Sequence, residues 1–505
     1  MRYDVLIVGS GAAGSVLAAR LSENASRTVC VLEAGPDFAS VDDLPEYVRF
    51  AGMGGPRTRP ANMDWAYTAR SSTFQTELEV PRGRVIGGSS SINGVVFFRA
   101  LRADLDEWVA AGNPDWSLEA CLPAFRRLEN DQDYGRLPYH GAEGPIPVSR
   151  APESDWTPAS RAFHQACRSL GYPDCPDMNA PDAYGVGPIP TNFFHNLRHG
   201  TAVGYLLPAR SRTNLTILGE SHATRLLFDG RRAVGAEALV NGQPERIEAG
   251  EVVLAAGAIA SPQLLMLSGV GPATHLESVG VPVLLDLPGV GQGMRDHPAL
   301  YTIWEAREIA QPPTGLSFQV GLRATAPESD DVLDMQVNCL CTFGPRGEMP
   351  PRYAITNSIM HARSAGQVQL WTTDPAAPPL LDFCHLEDPS DTRRLRSILR
   401  TAVRIGQHEA FEGVRVARLS PLDAVVESDA ALDEWMQRTL VTGHHASCTC
   451  RMGPESDPRA VVDQAGRVRG LEAIRVVDAS IMPDCPRANT NATTIMLAEK
   501  IALSF

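Results

Sequence analysis

The stretch YDVLIVGSGAAGSVLAARLSE, Tyr3 to Glu23, decides how the chain begins to fold. Its first seven residues are an apolar run suited to a strand buried on both faces. A glycine turn follows, GSGAAG, Gly9 to Gly14, and then a helix with Val16, Leu17 and Leu21 on its inner face. TVCVLEAG, Thr28 to Gly35, reads as a second buried strand. Strand, glycine turn, helix and strand in this order make a dinucleotide-binding unit. Gly9 permits the turn, Gly11 lets a pyrophosphate approach the backbone, and Gly14 lets the helix pack close to the strand. Glu33 ends the second strand about 20 residues beyond the turn, where its carboxylate can accept hydrogen bonds from a ribose. The expected fold is α/β, with a Rossmann-like domain and a second α+β domain on an antiparallel sheet.

Two later segments extend the same sheet. EVVLAAGA, Glu251 to Ala258, is apolar, ends in small residues and precedes the helix SPQLLMLSG. IRVVDAS, Ile474 to Ser480, is followed by the terminal helix NATTIMLAEKIALSF. Small residues at the carboxyl ends of parallel strands leave room for a ligand. The nucleotide domain is therefore expected to be discontinuous, residues 1–148, 190–300 and 440–505. Residues 149–189 and 301–439 form the substrate domain. There, LDMQVNCLCTF and GQVQLWTT alternate like half-exposed strands, and SDTRRLRSILRTAVRIGQH is amphipathic with Leu395, Leu399 and Val403 inward.

Composition narrows the function. The chain has 505 residues, more than one ordinary core holds, with 44% hydrophobic and 21% charged residues. A net charge of −14 and the lack of a long basic run exclude a nucleic-acid phosphate backbone as partner. No apolar run reaches the roughly 18 residues that span a bilayer. Asp4 and the glycines break up the N-terminal apolar run, which reads as strand and turn and not as a signal peptide. The ten cysteines are sparse and irregularly spaced, as in a chain without a disulfide framework, and the expected location is cytoplasmic.

Five further motifs carry a resemblance. They are GRVIGGSSSINGVVFFRALRADLD (Gly83 to Asp106), GAIASPQLLMLSGVG (Gly257 to Gly271), PGVGQGMRDHP (Pro288 to Pro298), TCRMG and VVDASIMP. Their order and spacing resemble the glucose–methanol–choline (GMC) oxidoreductases, FAD enzymes that mostly oxidise alcohols, nearly end to end. The chain departs from the usual pattern at Gly293 and Met294, where Asn and Leu are more common. The resemblance implies FAD rather than NAD. It implies that Glu33 holds the adenosine ribose, with Gly9, Gly11, Ala12, Ala13, Gly14, Ala34 and Ala223 around it. It places Arg84, Gly87, Gly88, Ser89, Ser90, Asn93, Gly94 and Val95 along flavin and pyrophosphate. Ala256, Asp478, Ala479, Asn489, Thr490 and Asn491 complete the cofactor contacts. Some members bond FAD covalently through a His two residues after the SS pair. Ile92 stands there, so non-covalent FAD is expected.

The resemblance also reads TGHHASCTCRMG, Thr442 to Gly453. One family His lies six residues before the Arg of RMG, and counting back from Arg451 gives His445. The second position of the catalytic pair, His or Asn, falls at Asn489. In an extended segment His444 and His445 would point to opposite faces, so only one could meet the flavin. Gly443 would share the face of His445, where a glycine either leaves space for O₂ or a bulky substrate or serves only the backbone. A neutral imidazole can take a hydroxyl proton near pH 7. Asn489 can bond the substrate oxygen or the imidazole without competing for that proton. The N-terminus of the last helix, near Asn491, would stabilise negative charge on reduced flavin.

Competing readings of the segment are a metal site, a Cys nucleophile, and a buried structural His. Cys448 and Cys450 are two apart, and no second CxxC or HxxxH supplies the remaining ligands, so no metal is expected. His444 is expected to be structural or pocket-lining, His297 a structural turn residue, and a helix-capping Asn489 is a real alternative. The function expected is oxidation of a small or medium primary alcohol, aromatic ones included, with O₂ or another acceptor reoxidising FAD. A hydroxynitrile-lyase type enzyme and a fatty-acid photodecarboxylase are alternatives on the same scaffold. VVFFRA, Val95 to Ala100, and NCLCTF, residues 338–343, are expected to give the pocket apolar walls.

Overall fold

The computed structural model describes residues 2–50, 60–308, 315–341 and 351–505. Four strands lie side by side and parallel in the order Leu215–Leu218, Val29–Leu32, Arg2–Val8 and Gln243–Leu254, and Ile474–Val476 is parallel to the last of them. Leu6, Cys30 and Val252 sit abreast and are wholly buried, as a strand covered on both faces requires. Helix α1, Ala12–Leu21, packs on this sheet through Val16, Leu17 and Leu21. A Cβ on Gly14 would stand 1.9 Å from the Gly9 carbonyl oxygen, so only glycine allows that helix so near the turn.

The strand expected at Glu251 to Ala258 begins at Gln243 and stops at Leu254. Its first half pairs antiparallel with Arg232–Val240, which pairs in turn with Ser221–Asp229. Ala255 and Ala256 fall just beyond its end, and helix α2, Gly257–Leu267, starts there. Small residues at this junction open the crevice at the carboxyl edge of the sheet.

The second sheet is antiparallel, in the order Arg415–Ser420, Pro298–Ala306, Arg352–Ile359, Met335–Leu340, Phe318–Ala324, Gly185–Pro188. Period-2 alternation divides its faces. Val337, Cys339, Tyr353 and Ile355 are buried in one cluster with Leu395, Leu399 and Val403 of helix α3, Pro389–Gln407. Gln336, Asn338, Thr356 and Ser358 turn to the other side. GQVQLWTT is not part of this sheet. Gly366–Gln369 joins Gln292–Met294 and Leu380–Asp382 in a separate three-stranded sheet, and Val368 belongs to the core of the first layer. The terminal helix α4 spans Thr490–Ile501. Among the described residues, no helix is long and apolar enough to cross a membrane.

Candidate active site

A cavity of about 640 Å³ runs from the carboxyl ends of the parallel strands to the polar face of the antiparallel sheet. Gly9, Gly11, Ala12, Ala13, Glu33, Ala34 and Ala223 line one arm. Gly88, Ser89, Ser90, Asn93, Gly94 and Val95, with Ala256, Asp478 and Ala479, line the middle. His445, Asn489, Thr490 and Asn491 border the far end. Three expected cofactor contacts lie outside the lining. Gly14 serves helix packing. Gly87 is left-handed at φ +81°, and a Cβ there would stand 2.3 Å from Ser91 Oγ. Arg84 donates from Nε to the Ala34 carbonyl at 3.2 Å and covers the Trp65 ring. All three shape the walls from behind.

The first arm suits a dinucleotide. Gly11 caps α1 with no side-chain bond to its first-turn N–H groups, and a Cβ there would find nothing nearer than 3.9 Å. Those amides are unsatisfied donors beside open space, the arrangement that binds phosphate. Gly88, at φ +52°, presses on this turn: a Cβ would come 2.7 Å from the Gly11 Cα. Burial pushes the pKa of Glu33 up, against hydrogen bonds from Ser10 N, Ser10 Oγ and Gly35 N. Two carboxylate oxygens offer about four acceptor positions, so three bonds leave one for a ribose hydroxyl. Asp478 accepts from Ser261 Oγ at 2.6 Å, Gly257 N at 2.9 Å and Ser480 N at 2.8 Å. It ties α2 to the strand end beneath the cavity.

At the far end, His445 Nε2 is 3.0 Å from Asn489 Nδ2. Asn489 occupies the N-cap of α4, yet its side chain makes no cap bond. The capping alternative is thereby set aside, and its Oδ1 and the Nδ2 of Asn491 have no partners. The first-turn N–H groups of α4 also remain available at the cavity wall. His445 Nδ1 is 2.8 Å from His297 Nδ1. The proton positions follow from donor arithmetic. An amide nitrogen only donates, so His445 Nε2 accepts and its Nδ1 carries the hydrogen. His297 Nδ1 then accepts, and its Nε2–H points to Cys485 Sγ at 3.2 Å.

His297 is therefore part of the site and not merely a turn residue. Nothing near RDHP signals this. The contact arises because Pro298 pairs with Thr442, which lays the two histidines across adjoining strand ends. Asp296 Oδ1 accepts from the His445 backbone N–H at 2.8 Å, while Oδ2 meets His385 Nε2 at 3.2 Å. Burial alone would raise the Asp296 pKa, but hydrogen bonds from His385 and Thr442 and the nearby histidines bring it below the carboxylate range. Burial holds His445 well below the usual histidine value, with His297 adding to the effect, and pushes His297 down to about 4. Both rings are neutral at pH 7.

The segment around His445 is not extended. His444 has φ +64°, so simple alternation fails, and both histidines border the cavity. They differ in setting: His445 is held by Asn489, His297 and Asp296, while His444 is exposed. Gly443 also lines the cavity, but a Cβ there would come 2.9 Å from both His297 O and His445 Nδ1. Glycine therefore lets the two imidazoles meet. Cys448 and Cys450 are wholly enclosed in the core. Burial pushes the Cys448 thiol up to about 12 and raises Cys450 as well, which keeps both protonated. Their backbone N–H groups donate to Ala479 and Ser480 carbonyls, so CTC fastens this segment to the strand end below.

The predicted apolar wall is half right. Val95 and Val96 line the cavity, but Phe97 and Phe98 are buried in the core. Of NCLCTF, Asn338 lines the cavity, and residues 342–343 lie outside the described residues. Sequence reasoning missed Tyr301, Phe318, Gln336, Thr356, Ser358 and Met360 as lining residues.

Two family models described as GMC oxidoreductase match residues 3–299 and 362–498. The chain is 36% identical to an uncharacterized GMC-type oxidoreductase of Rhodococcus erythropolis, over 98% of this chain and 97% of that one. It is 37% identical to an oxygen-dependent choline dehydrogenase of Pseudomonas savastanoi pv. phaseolicola, over 99% and 93%. Its fold matches the crystal structure of pyridoxine 4-oxidase from Mesorbium loti with a TM-score of 0.92 and 31% identity, over 100% and 99%. The chain belongs to the GMC oxidoreductase family, FAD-dependent enzymes that act on CH–OH donors. The uncapped α1 terminus, the open face of Gly11 and the spare acceptor position of Glu33 are a fit for that cofactor.

Proposed function

We propose that the protein oxidises a primary alcohol, aromatic ones included, to the aldehyde, with His445 as general base and Asn489 as its partner. The observation that carries this is the 3.0 Å pairing of His445 Nε2 with Asn489 Nδ2 at the cavity end. A substrate hydroxyl that displaces this bond donates to the freed Nε2 and accepts from Nδ2. FAD, when bound, supplies the acceptor for the hydride that leaves the carbinol carbon. As the proton arrives, His445 becomes an imidazolium. Its Nδ1–H stays on His297, and the Asp296 carboxylate offsets the new charge. The uncapped first turn of α4 borders the cavity, where its N–H groups would favour negative charge on a bound cofactor. O₂ or another acceptor completes turnover. Ten free cysteines accord with a reducing compartment such as the cytoplasm. Anaerobic mixing with a panel of alcohols tests the reading: the flavin absorbance bleaches if it is right and persists if it is wrong.

The pH dependence follows from the sign of the shift. Only neutral imidazole accepts a proton, so the rate is lost as pH falls through the pKa of His445, which lies below 6.5. Flavin reduction measured by stopped flow is expected to be flat from about pH 7 to 9 and to fall on the acid side. A rate that climbs between those values would show a different base.

Ile92 lines the cavity at the position where a linking His would stand. Acid precipitation of the yellow protein is expected to leave all flavin in the supernatant. Flavin retained by the pellet would refute non-covalent binding.

A further inference from the structure

The wall that faces His445 is the polar side of the antiparallel sheet, and its register gives two rows of side chains. Ala299, Ser358 and Gln336 are directly opposite one another on three adjacent strands. Tyr301, Thr356, Asn338 and Gly321 form the next row. Directly opposite residues of an antiparallel pair are about 4.5–5.5 Å apart, so each row is a continuous strip. The first row begins two residues after His297. Gln336 is 4% exposed, and its Oε1 has no hydrogen-bond partner; neither does Asn338 Oδ1. Asn338 leans over Gly321, where a Cβ would come within 2.3 Å of its Oδ1. Buried amides are almost always bonded, so two unpaired ones on a cavity wall call for a ligand.

The charges in the cavity point the same way. Among the described lining residues the carboxylates are Glu33 and Asp478, each holding three hydrogen bonds from the protein, as described above. Arg82 also lines the cavity and adds positive charge near His445, and the Asp296 carboxylate beside that imidazole is already bonded to His445 N and His385 Nε2. A quaternary ammonium needs an aromatic cage or an unspent carboxylate. Of the lining aromatic rings, Tyr301 and Phe318 stand on the antiparallel sheet with no acid among its described lining residues, while Trp65 packs on His222 beside Ala223 in the dinucleotide arm.

We infer that the substrate is an uncharged alcohol bearing a further hydrogen-bond donor, such as a ring hydroxyl, and that the acceptor oxygens of Gln336 and Asn338 select it over a quaternary ammonium alcohol. This rests on the alcohol-oxidising reading above. The test is anaerobic flavin reduction of the holoenzyme by benzyl alcohol, hydroxybenzyl alcohol, pyridinemethanol and choline. Hydroxybenzyl alcohol, whose ring hydroxyl can donate to these oxygens, is expected to half-saturate at the lowest concentration, pyridinemethanol, whose ring nitrogen cannot, at a higher one, and choline at the highest. Gln336→Leu and Asn338→Leu should each raise half-saturation for hydroxybenzyl alcohol roughly tenfold, the worth of one hydrogen bond. Half-saturation by benzyl alcohol, which has no donor beyond its carbinol, should shift less than that of hydroxybenzyl alcohol in the same variants. Choline as the best substrate, or variants that weaken all four equally, would overturn the inference and leave alcohol oxidation standing. Bleaching by none of the four would overturn both. The ranking in the parent enzyme decides the matter even where a variant fails to fold.

Discussion

Replacing His445 with alanine is expected to slow anaerobic flavin reduction by about 10²- to 10⁴-fold while FAD and the fold are retained. The imidazole makes its bonds to Asn489 and His297 at the cavity end, and none of them holds a strand or helix in place. Its loss removes a proton acceptor and leaves a small space. His444→Ala should cost far less, because His444 is exposed and its backbone takes a separate left-handed turn. His297→Ala should fall between the two. It removes the acceptor that keeps the proton on His445 Nδ1, so a mixture of tautomers would replace one reactive form. Parental rates in His445→Ala, with a loss in His444→Ala, would shift the assignment by one residue.

The second large effect is expected at Gly88. Its φ of +52° costs a residue with a Cβ about 1–2 kcal/mol. The added atom would also stand 2.7 Å from the Gly11 Cα, and such crowding costs about 1–3 kcal/mol more. The contact joins the first glycine turn to the Gly/Ser-rich loop, and both line the cavity. Gly88→Ala should therefore lose FAD occupancy and melt at a lower temperature. Gly230→Ala is the matched control: its φ is +57°, but nothing lies within 4 Å of the added carbon. It should show the backbone cost alone and keep its flavin. Thermal melting with flavin fluorescence reads both. Equal behaviour of the two variants would mean that the Gly11–Gly88 approach is not needed.

Local pattern carried the first domain. The run from Tyr3 to Val8, the glycines and Glu33 each have a physical reason visible in sequence, and the parallel core follows from them. The discontinuous sheet was legible because Glu251 to Ala258 and Ile474 to Ser480 are buried-strand patterns ending in small residues. What sequence could not give is pairing across distance. GQVQLWTT has the alternation of a strand in either sheet, and only tertiary packing assigns Val368 to the first core. The His297–His445 contact depends on Pro298 pairing with Thr442, separated by more than a hundred residues. The left-handed His444 defeated an argument from alternation that holds only for extended chain. The lining residues Gln336 and Ser358 alternate with core residues as any half-buried strand does, so their role emerges only from the sheet face they share.

The central claim is that His445 takes a hydroxyl proton while hydride leaves the same alcohol. The most direct measurement mixes anaerobic holoenzyme with pyridinemethanol and with the same alcohol deuterated at its carbinol carbon. The account predicts that both bleach the flavin, the deuterated one more slowly, and that His445→Ala lowers both rates together. A flavin left oxidised by both, or bleached at one rate irrespective of deuterium and of His445, would contradict it.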